Sequence, residues 1–405
     1  MADILFYPPF PDRPRLYDQL YRALWNLLPA RERIGRVIFP YAGEDFALLD
    51  AGQALDMAQV FMSRDFDPAI ADHAPDYAGK IAFVPAAEAE TISGPLKGIV
   101  VWSTADAEAL AKARAIAART GATLVFVDPE TVQQETLEII GFVYKLFAAD
   151  ELHRMHAESA ARFLRQAERW RGLRFAAFGN GPSLATVIAQ GHDPGPSVRT
   201  VCNSTIADPA ALAALKPELL FCGDPIQHCG CSLYAGRFRA DLAAAMAVPE
   251  RLLVTQLGYL PYFRAALPPD VHARIVGVGL DRRPRFNIDL RQEFTVAATA
   301  NVFTMLVLPV AFTLSRQVDI YGCDGMPFAE ATKPWSHANE GDYMGKMAVT
   351  HRLHPGFWRR NYEEEFASYC NDMEDILQAA EAAGAKVRSR TPSYVPALAK
   401  RFVAV

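Results

Sequence analysis

The run Phe175-Ala-Ala-Phe-Gly-Asn-Gly-Pro-Ser-Leu184 constrains the fold more than any other stretch, because an apolar segment breaks there into a turn of two glycines, a proline and a serine. This is the pattern of a strand feeding a tight turn, the opening step of a strand–helix unit. Gly179 and Gly181 let backbone N–H groups approach an anion with no Cβ in the way, and Asn180 and Ser183 add neutral donors beside Pro182. The turn lacks the third glycine of a dinucleotide fingerprint and the Gly-Lys-Ser/Thr ending of a phosphate loop. The expected ligand is therefore a nucleotide other than NAD or ATP.

The same strand–helix rhythm runs through the chain. Strands are expected at Arg36-Val-Ile-Phe-Pro, Lys80-Ile-Ala-Phe-Val-Pro, Gly98-Ile-Val-Val-Trp and Ala122-Thr-Leu-Val-Phe-Val-Asp128. Between the last two lies a helix from Asp106 to Thr120, with Asp106 placed to cap its start and Gly121 to stop it. From Glu135 to Arg171 the pattern is wholly helical, a connecting pair of helices that sets a boundary near residue 171. Beyond it, apolar runs at Leu173–Phe178, Val198–Cys202, Glu218–Cys222, Arg251–Thr255 and Val318–Gly322 repeat the theme. The expected fold is α/β, with two Rossmann-like domains, 1–171 and 172–405, facing a cleft, and a last helix from about Asn361 to Ala383 packing back onto the first half.

A chain of 405 residues exceeds what one core usually organises, which agrees with two domains. Its net charge of −5 gives no global attraction to nucleic acid. Six cysteines in so long a chain are no disulfide scaffold, and no charged-then-apolar leader precedes the early prolines, so the expected location is cytoplasmic. The apolar stretch Phe294 to Leu314 is long enough to span a bilayer, but its threonines, Asn301 and Pro309 favour a buried helix followed by a strand.

Several polar residues stand where chemistry is possible. Asp224, in Cys222-Gly-Asp-Pro225, follows an apolar run and should project from a strand's carboxyl end, where a carboxylate acts as nucleophile or base; the competing reading is a turn or helix cap. Cys222, His228, Cys229 and Cys231 match no common zinc spacing and read as buried thiols. Asp65-Phe-Asp67 is a literal Asp-x-Asp but reads as a turn before Pro68. His337, in a polar loop, and His354, before Pro355, are candidate acid–base or charge-balancing groups, with Tyr343 a weaker phosphate donor. Arg282-Arg-Pro-Arg285 forms a compact basic patch suited to an anionic acceptor or to a solvated loop.

Taken in order, Gly179-Asn-Gly-Pro-Ser183, Cys202-Asn203-Ser204 and Asp319-Ile-Tyr-Gly-Cys-Asp324 resemble the bacterial sialyltransferase-like glycosyltransferases over roughly residues 173–355. The resemblance implies the two-domain arrangement called GT-B and a CMP-sugar donor held by Gly179, Asn180, Gly181, Pro182, Ser183, Asn203 and Asp324, with His354 at the departing phosphate and no metal or other cofactor. The large α/β domain before the glycine turn, together with Asp224, is most similar to the retaining β-Kdo transferases of glycosyltransferase family 99. In that family an Asp is the nucleophile of a double displacement. Asp224 would take that role, moving Kdo or a related 2-keto sugar acid from CMP to a lipopolysaccharide, capsule or O-antigen glycan, with room for peripheral association at the inner membrane. The alternatives are an inverting sialyltransferase-like enzyme with His337 or His354 as base, a magnesium-dependent pterin pyrophosphokinase-like enzyme, and a non-catalytic nucleotide-sugar-binding module.

Overall fold

The computed structural model describes residues 1–281, 285–330 and 340–404, with backbone alone over 340–346. Among the described residues the chain forms two sheets in which every strand pair is parallel. The first contains β1 (Ala2–Tyr7), β2 (Ile34–Tyr41), β3 (Ile81–Pro85), β4 (Gly98–Val101) and β5 (Thr123–Phe126), in the order β3-β2-β1-β4-β5. The second contains β6 (Arg174–Phe178), β7 (Ser197–Cys202), β8 (Leu219–Phe221), β9 (Leu252–Gln256), β10 (Ile275–Asp281), β11 (Thr295–Ala297), β12 (Gln317–Tyr321) and β13 (Lys386–Ser389). Its order is β11-β10-β9-β8-β7-β6-β12-β13. The class is thus α/β with parallel sheets, as the strand–helix rhythm requires.

The chain divides into two compact units. The first is Met1–Ala149 joined by Pro225–Arg237 and Gly345–Arg360; the second is Asp150–Asp224, Phe238–Met344 and Asn361–Val405. The break expected near residue 171 lies between Ala149 and Asp150, because the helix Ala149–Arg169 is no mere connector. It sends Phe163 and Ala167 into the core of the second unit. The last helix, Tyr362–Ala382, also corrects the expectation that it packs on the first half. Its Phe366, Met373, Ile376, Leu377 and Ala380 join that same second core.

Local chemistry accounts for the elements that frame the sites. In β6, β8 and β9 nearly every side chain is buried, as in strands covered on both faces, so these strands read as continuous apolar runs. The exception is Asp319 in the middle of β12. Its carboxylate is held by Arg174, and Arg388 of neighbouring β13 donates to it from Nε at 2.7 Å, so a charge inside the sheet is paired and helps fix strand register. The helix Ala107–Thr120 begins at Asp106, whose side chain accepts from the Glu108 and Ala109 amides, and ends at Gly121 with φ 72°. Phe294–Leu314 supplies β11, a π-helical turn (Phe303–Val307) and the helix Leu308–Leu314 ahead of β12. Its apolar residues fill the second core, and no helix among the described residues is long and apolar enough to cross a membrane.

Candidate functional site

From β6 the chain builds β7 to β11 outward on one side and then returns to lay β12 on the other. The carboxyl ends of β6 and β12 therefore flank a topological switch point, where open α/β sheets bind their ligands. Four adjacent strand ends carry residues that the sequence singles out: Asp324 beyond β12, Gly179–Ser183 beyond β6, Asn203 beyond β7 and Asp224 beyond β8. With neighbouring strands about 4.8 Å apart, the Asp224 end lies roughly 10 Å from the glycine turn, the span of a nucleotide and the group attached to it.

The glycine turn itself differs from expectation. Gly179 N donates to Tyr321 O and Gly181 N to Gly322 O, both at 2.8 Å. Ser183 N donates to Asp324 Oδ2 at 2.6 Å, and the Ser183 hydroxyl donates to the other carboxylate oxygen. The amides expected to cradle a phosphate thus already serve the end of β12. The glycines are needed for the same reason. A Cβ on Gly179 would lie 2.5 Å from Gly322 O, and one on Gly181 2.7 Å from Asp324 Oδ2. Pro182 leads into the short helix Ser183–Ala189, and a carboxylate stands where an anion would approach that helix end. Close strand packing, rather than phosphate approach, is what the two glycines permit here.

Side chains remain for recognition. Asn180 Nδ2 donates to Ser204 Oγ at 3.2 Å, which ties the β6 turn to the β7 end. Asn203 has φ 48°, a left-handed conformation rare for a residue with a side chain, and its Oδ1 is buried with no hydrogen-bond partner among the described residues. A left-handed backbone and an unmet acceptor on one residue at a strand end make Asn203 a candidate for ligand contact. Asp224 is half-buried, in a turn steadied by Gln256 Nε2 donating to Gly223 O at 3.3 Å. The thiols nearby are inert: burial pushes Cys202 up to about 12, and burial, with Cys202 and Asp324 adding to it, raises Cys323.

Of the other candidates, His354, Asp65 and Asp67 belong to the first unit, and some lie outside the description. His354 belongs to the first unit, is 1% exposed, and engages Glu135 through Nδ1. Burial works against its charge, but the Glu135 carboxylate and the Cys231 thiol outweigh it and push the imidazole up to about 9. A histidine so enclosed presents no nitrogen to a departing phosphate, which corrects the role expected of it. His337 and Arg282–Arg283 lie outside the described residues, and so does the side chain of Tyr343. Asp65 pairs with Arg352, while Asp67 accepts from Ala69 N in the turn that the sequence suggests. Among the described residues no group of His, Cys, Asp and Glu side chains is arranged to hold a metal, and Cys222, His228, Cys229 and Cys231 are all buried.

Sequence reasoning missed the strain at Asn203, which only φ reveals, and missed Glu135 as partner of His354, a pairing across 219 positions that leaves no local trace. Comparison with protein-family models, curated proteins and solved structures finds no match to this chain.

Proposed function

We propose that the carboxyl edge of the second sheet binds a CMP-activated 2-keto sugar acid, Kdo or a close relative, and that the protein transfers that sugar to a glycan. The observation that carries the reading is Asn203, a strained residue with an unmet buried acceptor, set between the Asn180 turn and Asp224 at a topological switch point. Because the turn amides are internally bonded and Asp324 is a carboxylate, recognition falls to side chains. Asn180, Asn203 and Asp324 suit the hydroxyl and amino groups of a nucleoside better than they suit its phosphate.

On this reading Asp224 attacks the anomeric carbon. The C–O bond to CMP breaks as a bond to the carboxylate oxygen forms, and an acceptor hydroxyl then displaces the carboxylate with a second inversion. The GT-B arrangement, the metal independence, the glycan acceptor and a transient association with the inner membrane belong to the same proposal. Two parallel sheets with helices between their strands support the first of these.

The test is calorimetric titration of the protein with CMP, CDP, UDP, ATP and NAD. Selective binding of CMP is expected, and Asn203→Gly, which relaxes the backbone but removes the acceptor, should weaken it about tenfold. Equal affinity for all five, or binding of ATP alone, overturns the reading.

A further inference from the structure

The first unit contains a second polar centre that the proposed reaction does not use. Arg22 from the helix Arg13–Asn26, Glu135 at the start of the helix Glu135–Tyr144, Cys231 and His354 line a cavity of about 20 Å³ against Phe6 and Val100 of the first sheet. A cavity of that size holds one water or one oxygen-sized group. All four residues are at least nine-tenths buried: Arg22 is 6% exposed, Glu135 4%, and Cys231 and His354 1% each.

Two polar atoms at this cavity, His354 Nε2 and Glu135 Oε2, make no hydrogen bond of good geometry among the described residues. The Cys231 thiol lies beside the imidazole, and Arg22 Nη1 approaches its sulfur at 3.9 Å. Arg22 is itself anchored by Nη2 donating to Leu353 O at 2.8 Å and by Nε donating to Asp18 at 2.9 Å, so the guanidinium cannot swing away from the sulfur cheaply. A buried thiol is thus set between two cationic side chains, next to a void that would accept one added oxygen, with the imidazole N–H beside the sulfur placed to receive it.

We propose that Cys231 is a site of reversible modification by hydrogen peroxide, its sulfenic oxygen occupying the cavity and accepting a hydrogen bond from His354 Nε2. The sulfur attacks one peroxide oxygen; the S–O bond forms as the O–O bond breaks, and sulfur gives up two electrons. The departing hydroxide takes the Nε2 proton of His354 and leaves as water, and the thiol proton replaces the one His354 has lost. The thiol and peroxide become a sulfenic acid and water, with no further co-reactant.

Three of the other thiols lack this setting. Burial raises Cys202 to about 12 and Cys370 to about 11, and it also raises Cys323, which keeps all three protonated and unreactive. Reagent size adds a second discrimination, since a void for a single oxygen excludes an aromatic disulfide.

The folded protein is exposed to stoichiometric hydrogen peroxide, quenched into urea containing dimedone, digested, and mapped by mass. The expected result is a dimedone adduct located on Cys231 by fragment ions, formed at least about tenfold faster than on Cys202, Cys222, Cys229, Cys323 or Cys370, while native protein leaves Cys231 unlabelled by 5,5′-dithiobis(2-nitrobenzoate). This competition is internal to the unmodified chain and needs no variant. Equal labelling of the six cysteines, or none at Cys231, overturns the proposal. His354→Gln, if folded by circular dichroism, should slow the Cys231 reaction about tenfold, and an unchanged rate in that variant removes His354 from the step.

Discussion

Asn203 separates stability from binding at a single position. Its left-handed φ of 48° is paid for by the surrounding structure, and its Oδ1 has no internal partner. Asn203→Ala places an ordinary side chain in that conformation and should lower unfolding free energy by about 1–2 kcal/mol, whereas Asn203→Gly should not. Both variants lose the acceptor and both should bind CMP more weakly; urea unfolding read beside calorimetry distinguishes the two effects. If the alanine variant is as stable as the parent, the strain is not real. Asp324 stands out in the sequence as a candidate, but its actual bonding does not show there. Nothing in Gly-Asn-Gly-Pro-Ser indicates that the amides and hydroxyl of this turn are engaged by residues more than 140 positions away.

At the scale of elements, what local rules govern could be read directly. The helix Ala107–Thr120 follows from Asp106 and Gly121, and both ends are where capping chemistry puts them. Asp106→Ala should cost about 1 kcal/mol in the unfolding of the first unit, because the Glu108 and Ala109 amides lose their acceptor. A variant as stable as the parent in urea contradicts that assignment. Less legible were β1, β10 and β13. The central strand of the first sheet, Ala2–Tyr7, is a six-residue run with Asp3 near its start, and Lys386–Ser389 alternates polar and apolar like an edge strand. Ile275–Asp281 is interrupted by two glycines, one of which, Gly277, would put a Cβ 2.9 Å from the Leu257 backbone. Edge position and close backbone approach each erase the apolar run by which a buried strand is recognised.

At the scale of the whole molecule, pH tests how the first unit is held together. The folded state keeps His354 protonated up to about pH 9, because Glu135 and Cys231 outweigh its burial. In the unfolded chain a histidine releases its proton near pH 6.5. A raised folded pKa means that this stabilisation is fully present below about pH 6.5 and is lost as pH climbs through about 9. Urea midpoints for the first unit should fall across that window, and His354→Gln should flatten the fall; a parent curve already flat there refutes the pairing. The composition of that unit also has a consequence for biosynthesis. Residues 1–149 are synthesised first, yet Cys231, Leu353 and His354, which close over Arg22 and Glu135, belong to segments ending at residues 237 and 360. At about 5–20 residues per second, the ribosome needs roughly 10 to 40 seconds to supply them. Throughout that interval the nascent amino-terminal sheet stands with a guanidinium, a carboxylate and the apolar floor beneath them uncovered.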